Sequence, residues 1–148
     1  DYPRPPRIEP TGRRLRVEFN GSVVAETERG FRVLETSHPP VYFFPPEDVT
    51  PGVLVASPGN TFCEWKGAAV YHDVAVGDRV AARAAWSYPV PTPDARDIAG
   101  YVAFYARRMH RCTVDGRPVT PQPGAFYGGW ITDDLVGPFK GSPGTEGW

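Results

Sequence analysis

The sequence predicts a mainly β protein with few, short helical turns. Three observations carry that prediction. Its 18 prolines and 16 glycines are spread along the chain as punctuation between apolar segments, and aromatic residues make up 13% of it. Between those points apolar and polar residues alternate, the period of a half-buried strand. Asn20-Gly21 and Asp115-Gly116 are the residue pairs that two-residue hairpin turns favour.

In chain order, residues 1–12 read as an extended arm, because Pro3, Pro5, Pro6 and Pro10 with charges between them favour an open backbone. Leu15, Val17 and Phe19 alternate with Arg14, Arg16 and Glu18 as the first strand, and Val23-Val24-Ala25 returns after the Asn20-Gly21 turn. Phe31 to Leu34 follows the Arg29-Gly30 turn. Val41 to Phe44 is bounded by proline pairs on both sides, and Pro46 to Val49 reads as one tight or 3₁₀ turn. Val53 to Val55 is a short strand closed by Ser57-Pro58-Gly59-Asn60. Phe62 to Trp65 and Ala68 to Val74 pair about Lys66-Gly67. Val80 to Tyr88 reads as strand despite its alanines, with Val80, Ala82, Ala84, Trp86 and Tyr88 on one face. Pro89, Pro91 and Pro93 stiffen a connector into a helical turn at Asp94 to Ala99. Tyr101 to Tyr105, Arg111 to Val114 and Arg117 to Val119 complete a β domain over residues 13–120. Residues 121–148 carry seven glycines and four prolines but also five aromatics. They read as an ordered extension laid on the domain or on a partner chain, with Thr132 capping a helical turn through Val136.

A chain of 148 residues forms one domain with a sizeable core. Lys+Arg 16 against Asp+Glu 17 leaves a net charge of −1, which argues against a nucleic-acid backbone as the main partner. The local exception is the arginine cluster Arg4, Arg7, Arg13, Arg14 and Arg16. Cys63 and Cys112 form no disulfide framework, and no apolar run is long enough to span a bilayer. No signal-peptide pattern opens the sequence, so the expected setting is the cytoplasm, with reduced thiols and no membrane partner.

Tyr42-Phe43-Phe44-Pro45-Pro46-Glu47-Asp48-Val49, Cys63 to Tyr71, Trp86-Ser87-Tyr88-Pro89, Ile98 to Tyr105 and Val114-Asp115-Gly116 occur in an order that resembles a known family. It is the family called domain of unknown function 427, which also carries a nucleotidyltransferase label, and the likeness spans about residues 13–120. The Gly128 to Gly141 stretch is similar to a tail seen on actinobacterial members. The resemblance implies two antiparallel sheets meeting at an angle, a β-tent-like fold. It implies no structural zinc here, because the paired Cys-x-x-Cys motifs of related folds are missing. Glu64 stands where the family pattern has proline. The nucleotidyltransferase label fits these residues poorly, since Gly21-Ser22 is followed by no spaced acidic pair.

Candidate chemistry gathers around Lys66. Basic charge is carried by fourteen arginines and only two lysines, Lys66 and Lys140, each between an aromatic residue and a glycine. Lys66 with Trp65, Tyr71, Trp86, Tyr88 and Tyr42 reads as a ligand site, with Asp48 orienting the ammonium. The bland alternatives are a surface lysine, ordinary aromatic core packing, and an aspartate that only serves its own turn. Cys63 is a candidate nucleophile if Lys66 or His72 lowers its pKa, against the reading of an inert buried thiol. Cys63, His72, His110 and Cys112 match no common ligand spacing, so no metal and no cofactor is expected. The sequence thus favours a small-ligand binding domain. The alternatives are an enzyme, acting on a nucleotide or through Cys63, and an assembly module that forms homo-oligomers through its aromatic tail.

Overall fold

The computed structural model describes residues 7–35, 38–63, 66–123 and 128–132, with backbone alone for Phe62 and Cys63. The described strands are β1 (Arg7–Thr11), β2 (Leu15–Phe19), β3 (Ser22–Thr27), β4 (Gly30–Leu34), β5 (Val41–Phe43), β6 (Leu54–Cys63) and β7 (Gly67–Val76). They continue with β8 (Arg79–Ser87), β9 (Val102–Phe104), β10 (Arg111–Val114), β11 (Arg117–Pro118), β12 (Thr120–Pro121) and β13 (Trp130–Ile131). Among the described residues the helical content is three 3₁₀ turns, at Pro46–Asp48, Pro93–Ile98 and Ala106–Arg108. The protein is mainly β, and all strand pairs within its sheets are antiparallel.

Both anticipated hairpin turns form. Asn20 and Gly21 hold φ of 50° and 76°, and Asp115 and Gly116 hold 51° and 81°. Two successive positive φ values match the right-handed twist of the strands they join, and only Gly, Asn and Asp reach that region cheaply. These turns set the sheet β11-β10-β2-β3.

The other strands form β1-β4-β5, β6-β7-β8-β9 and the ribbon β12-β13. Phe44 and Val102 exchange backbone hydrogen bonds of 2.8 and 2.9 Å, which joins β5 to β9. That bridge links the β1-β4-β5 and β6-β7-β8-β9 sheets, so the described residues form several antiparallel sheets, two of them joined. Side chains along the joint alternate between two core clusters. Tyr42, Phe44, Val102 and Phe104 enter the cluster shared with Leu15, Val17 and Trp130. Phe43, Ala103 and Tyr105 enter the one shared with Tyr71, Trp86 and Tyr88.

Three expectations need correction. Arg7–Thr11, read as part of a free arm, is β1, registered against β4 from Arg7↔Leu34 to Thr11↔Gly30. Pro58-Gly59, read as a turn, is a bulge within β6: Ser57 pairs with Tyr71 and Asn60 with Val70, leaving two residues over. Proline has no N–H to give a ladder, and β6 is an edge strand where that loss is tolerated. Val80 to Tyr88 does not keep one face inward. Val74 pairs with Ala81 and His72 with Ala85, which leaves two residues over at the Arg83 bulge (φ 49°); Val80, before it, is 62% exposed, while Ala84 to Ser87, after it, are all buried. Ala106–Arg108, a 3₁₀ turn, carries no sequence signal.

The start of the C-terminal extension lies against the β body. The Trp130 ring is 1% exposed, its Nε1 donates to the Phe104 carbonyl at 3.0 Å, and its backbone N–H donates to Pro40 at 2.9 Å. The expected helical turn from Thr132 to Val136 lies outside the described residues. Trp130→Phe should lower stability by about 2 kcal/mol, because it leaves a buried carbonyl without its donor and a gap beside it. Urea denaturation checks this: the midpoint should fall at unchanged slope, and an unchanged midpoint would refute the anchoring role.

Candidate functional site

The turn between β6 and β7 places Lys66. Gly67 holds φ of 107°, a conformation costly for any side chain, and a Cβ there would lie 3.3 Å from Pro91 Cα and from Thr92 N. The Lys66 carbonyl accepts the Thr92 N–H at 3.1 Å. The proline-stiffened connector thus backs the turn, and only glycine lets the two chains approach so closely.

From that turn the Lys66 side chain, 14% exposed, reaches Glu35 just after β4, with Nζ to Oε1 at 2.9 Å. The ammonium also lies 5.9 Å from the Tyr88 ring centroid. A charge this far removed from water needs a partner, and Glu35 supplies it. The pair sits in a hollow of about 290 Å³. Its walls include Tyr71 on β7, Trp86 on β8 and Tyr88 and Tyr105 just beyond β8 and β9; Gln122 and Gly128 close one side. Tyr71 and Trp86 are direct cross-strand partners, and the Trp86 and Tyr105 rings lie 4.4 Å apart. A Cβ on Gly128 would fall 2.2 Å from the Trp86 ring, so the chain there rests on the indole face.

Polar groups on the walls are arranged by short contacts. Thr61 Oγ1 and the Tyr71 hydroxyl share a hydrogen bond of 2.8 Å. Burial, and then the charge and hydrogen bond of Tyr71, push the Tyr105 phenol up to about 12, so it stays protonated at neutral pH. The hollow therefore offers hydroxyls, an amide, a neutralised ion pair and aromatic planes. That set binds and orients a small molecule with a planar part and several polar groups.

The structure brings Lys66, Tyr71, Trp86 and Tyr88 together, while other predicted site residues stand apart. Asp48 does not orient Lys66. Its carboxylate accepts from Thr27 Oγ1 at 2.7 Å and from Arg29 Nε and Nη2, both at 3.1 Å. It lines a separate open hollow with Arg14, Glu26, Thr27, Glu28 and Arg29. Tyr42 faces the other core cluster, its ring 5.5 Å from that of Trp130, because its neighbour Phe43 takes the inward side. Trp65 and the Cys63 side chain lie outside the described residues. His72 bonds Ser87 Oγ at 3.0 Å, and burial holds its pKa below the usual range. His110 Nδ1 accepts the Asn20 N–H at 2.7 Å and its ring stacks on Phe19. Burial raises the Cys112 thiol to about 12, which removes its thiolate at neutral pH. Among the described residues no three His, Cys, Asp or Glu side chains gather as a metal site.

Sequence reasoning missed Glu35, Thr61, Tyr105 and Gln122. Tyr105 had a usable signal: it shares strand parity with Ala103, which pairs with Trp86. Glu35 had none, since its partner is 31 residues away.

Fold and site together define a small antiparallel β domain with a lysine–glutamate pair held in an aromatic hollow. The chain belongs to the domain of unknown function family DUF427, whose model matches residues 7–115. No curated protein shows a significant match to it.

Hydrogen bonds from Arg29 first, and then from Thr27, hold the Asp48 carboxyl below its ordinary pKa. A depressed carboxyl pKa adds stability above the unfolded value near ~4 and loses it as pH falls through the folded value. Asp48→Asn should therefore cost about 1 kcal/mol at pH 7. The difference from the parent protein should shrink below about pH 4. Thermal melts from pH 7 to pH 2.5 check this, and a difference constant with pH would overturn the assignment.

Proposed function

We propose that this protein binds a small ligand in the hollow around Lys66, with Tyr71, Trp86, Tyr88 and Tyr105 holding its planar part. The observation that carries the reading is the half-buried Lys66–Glu35 pair within aromatic walls. An ion pair so far from water adds little stability over an apolar pair of the same shape, so stability alone does not account for it. Its ammonium and carboxylate are a ready donor and acceptor for a guest that displaces neither aromatic wall. Cytoplasmic placement belongs to the same reading and is supported by the free, buried thiol of Cys112. No helix among the described residues is long and apolar enough to cross a membrane.

The enzyme alternative has less support. The acidic pair Glu47 and Asp48 faces Arg29 in a different hollow. The assembly alternative turns on the aromatic tail, most of which lies outside the described residues.

A thermal-shift screen of nucleosides, aromatic amides and aromatic acids tests the reading, followed by titration of each hit against Lys66→Ala. The variant should lose affinity about tenfold or more, or ~1.4 kcal/mol. Its melting temperature should fall by less than about 4 °C. Unchanged affinity, or a drop beyond about 10 °C, would show the lysine to be structural.

A further inference from the structure

We propose that the ligand carries an oxyanion group, a phosphate monoester or a carboxylate, held beyond Tyr71 and Tyr105 by Arg83, Arg107 and Arg108. This rests on the reading of the Lys66 hollow as the place for the ligand's planar part. A second hollow of about 450 Å³ is lined by Thr61, Tyr71, Ala82, Arg83, Tyr105, Arg107 and Arg108. It shares Thr61, Tyr71 and Tyr105 with the first. The two compartments therefore meet at one pair of tyrosines, and a single elongated molecule can occupy both.

The second compartment differs from the first in charge. The described residues of its lining include three guanidinium groups and no carboxylate. Several arginines elsewhere on the surface are neutralised: Arg14 by Glu28, Arg16 by Glu18 and Glu26, Arg29 by Asp48, and Arg32 by Glu9. Among the described residues, no carboxylate lies within salt-bridge distance of the Arg83 or Arg108 side chain. Asp73 is engaged instead by the Arg83 backbone N–H at 2.9 Å.

Both guanidinium groups are positioned in advance. Arg83 sits at the β8 bulge, donates from Nη1 to the Pro58 carbonyl at 2.9 Å, and lies 3.9 Å over the Tyr71 ring. Arg108 donates from Nε and Nη2 to the Ala82 carbonyl. Carbonyl oxygens orient a guanidinium but leave its charge uncancelled, so the compartment stays positive. Fixed forks beside tyrosine hydroxyls match the paired oxygens of phosphate and carboxylate groups. Joining the two bulges explains the Pro58 contact, but not the placing of Arg83 and Arg108, both held by carbonyls alone, about one hollow.

The test is an NMR titration of the full chain, following arginine Nε–Hε and tryptophan indole signals. The added compounds are inorganic phosphate, phenyl phosphate, benzoate and the neutral benzamide. The better aromatic anion should bind about tenfold or more tightly than benzamide, lose affinity with added salt, and shift the Arg83 and Arg108 signals. Phenyl phosphate ahead of benzoate identifies a phosphoryl group, and the reverse order a carboxylate. Arg83→Gln should weaken the anion about tenfold and leave benzamide unchanged. Arg107→Gln, which lies outside both bulges, repeats the test if Arg83→Gln loses its fold. Equal affinities for anion and amide, or unmoved arginine signals, would overturn the proposal while leaving the Lys66 reading intact. In Lys66→Ala, inorganic phosphate should still shift the arginine signals. If it does so while benzamide binds neither protein, the anion compartment stands and the Lys66 reading falls.

Discussion

The reciprocal hydrogen bonds between Phe44 and Val102 organise the rest of the molecule. Backbone groups this deep in a core must be paired, and here the pairing joins strands far apart in sequence. Because side chains alternate along both segments, the joint sends Phe44, Val102 and Phe104 to one side and Phe43, Ala103 and Tyr105 to the other. One side completes the apolar core against β2 and β10. The other leaves its aromatic rings incompletely covered, and the Lys66 hollow occupies that interval.

Charge in the hollow follows from backbone geometry. The Gly67 turn, pressed on the Val90–Thr92 segment, leaves the lysine stem one direction in which to extend, toward the end of β4. Glu35 meets it there. Two bulges do the same for the arginines. The extra residues in β6 and β8 bring the Pro58 carbonyl and Arg83 together over Tyr71, so a break in each ladder is converted into a fixed cation. Departures from regular strand pairing thus position the functional groups, while the regular strands supply the aromatic walls.

Much of this was legible in the sequence wherever local chemistry decides the outcome. The Asn20-Gly21 and Asp115-Gly116 turns, the 3₁₀ turn at Pro46 and the strand character of the alanine-rich β8 all follow from residue type and period. So does the association of Lys66 with Tyr71, Trp86 and Tyr88, since the family motifs that hold them lie on adjacent strands. What escaped depends on register and on distant pairing. Before the Arg83 bulge only Ala81 of β8 is buried, after it Ala84 to Ser87 all are, and nothing in the alternation marks the change. Asp48 was assigned to Lys66 because both lie in motif segments, yet Thr27 of β3 and Arg29 just after it claim it. Residues 7–11 read as part of an arm because they sit in the proline-rich stretch 1–12 and because their partner strand lies 19 to 27 positions away.

Gln122 and Gly128, which close one side of the Lys66 hollow, lie beyond residues 7–115, the part of the chain that the family model covers. The lysine and its aromatic bed thus come from the part of the chain that the family model covers, and this wall comes from the segment that follows it. Gly128 rests on the Trp86 indole and Trp130 is driven into the core behind it, so the added wall is anchored from below. A chain with the same residues 7–115 and a different continuation would keep the lysine and its aromatic bed, and would present a wider or differently shaped mouth to the hollow.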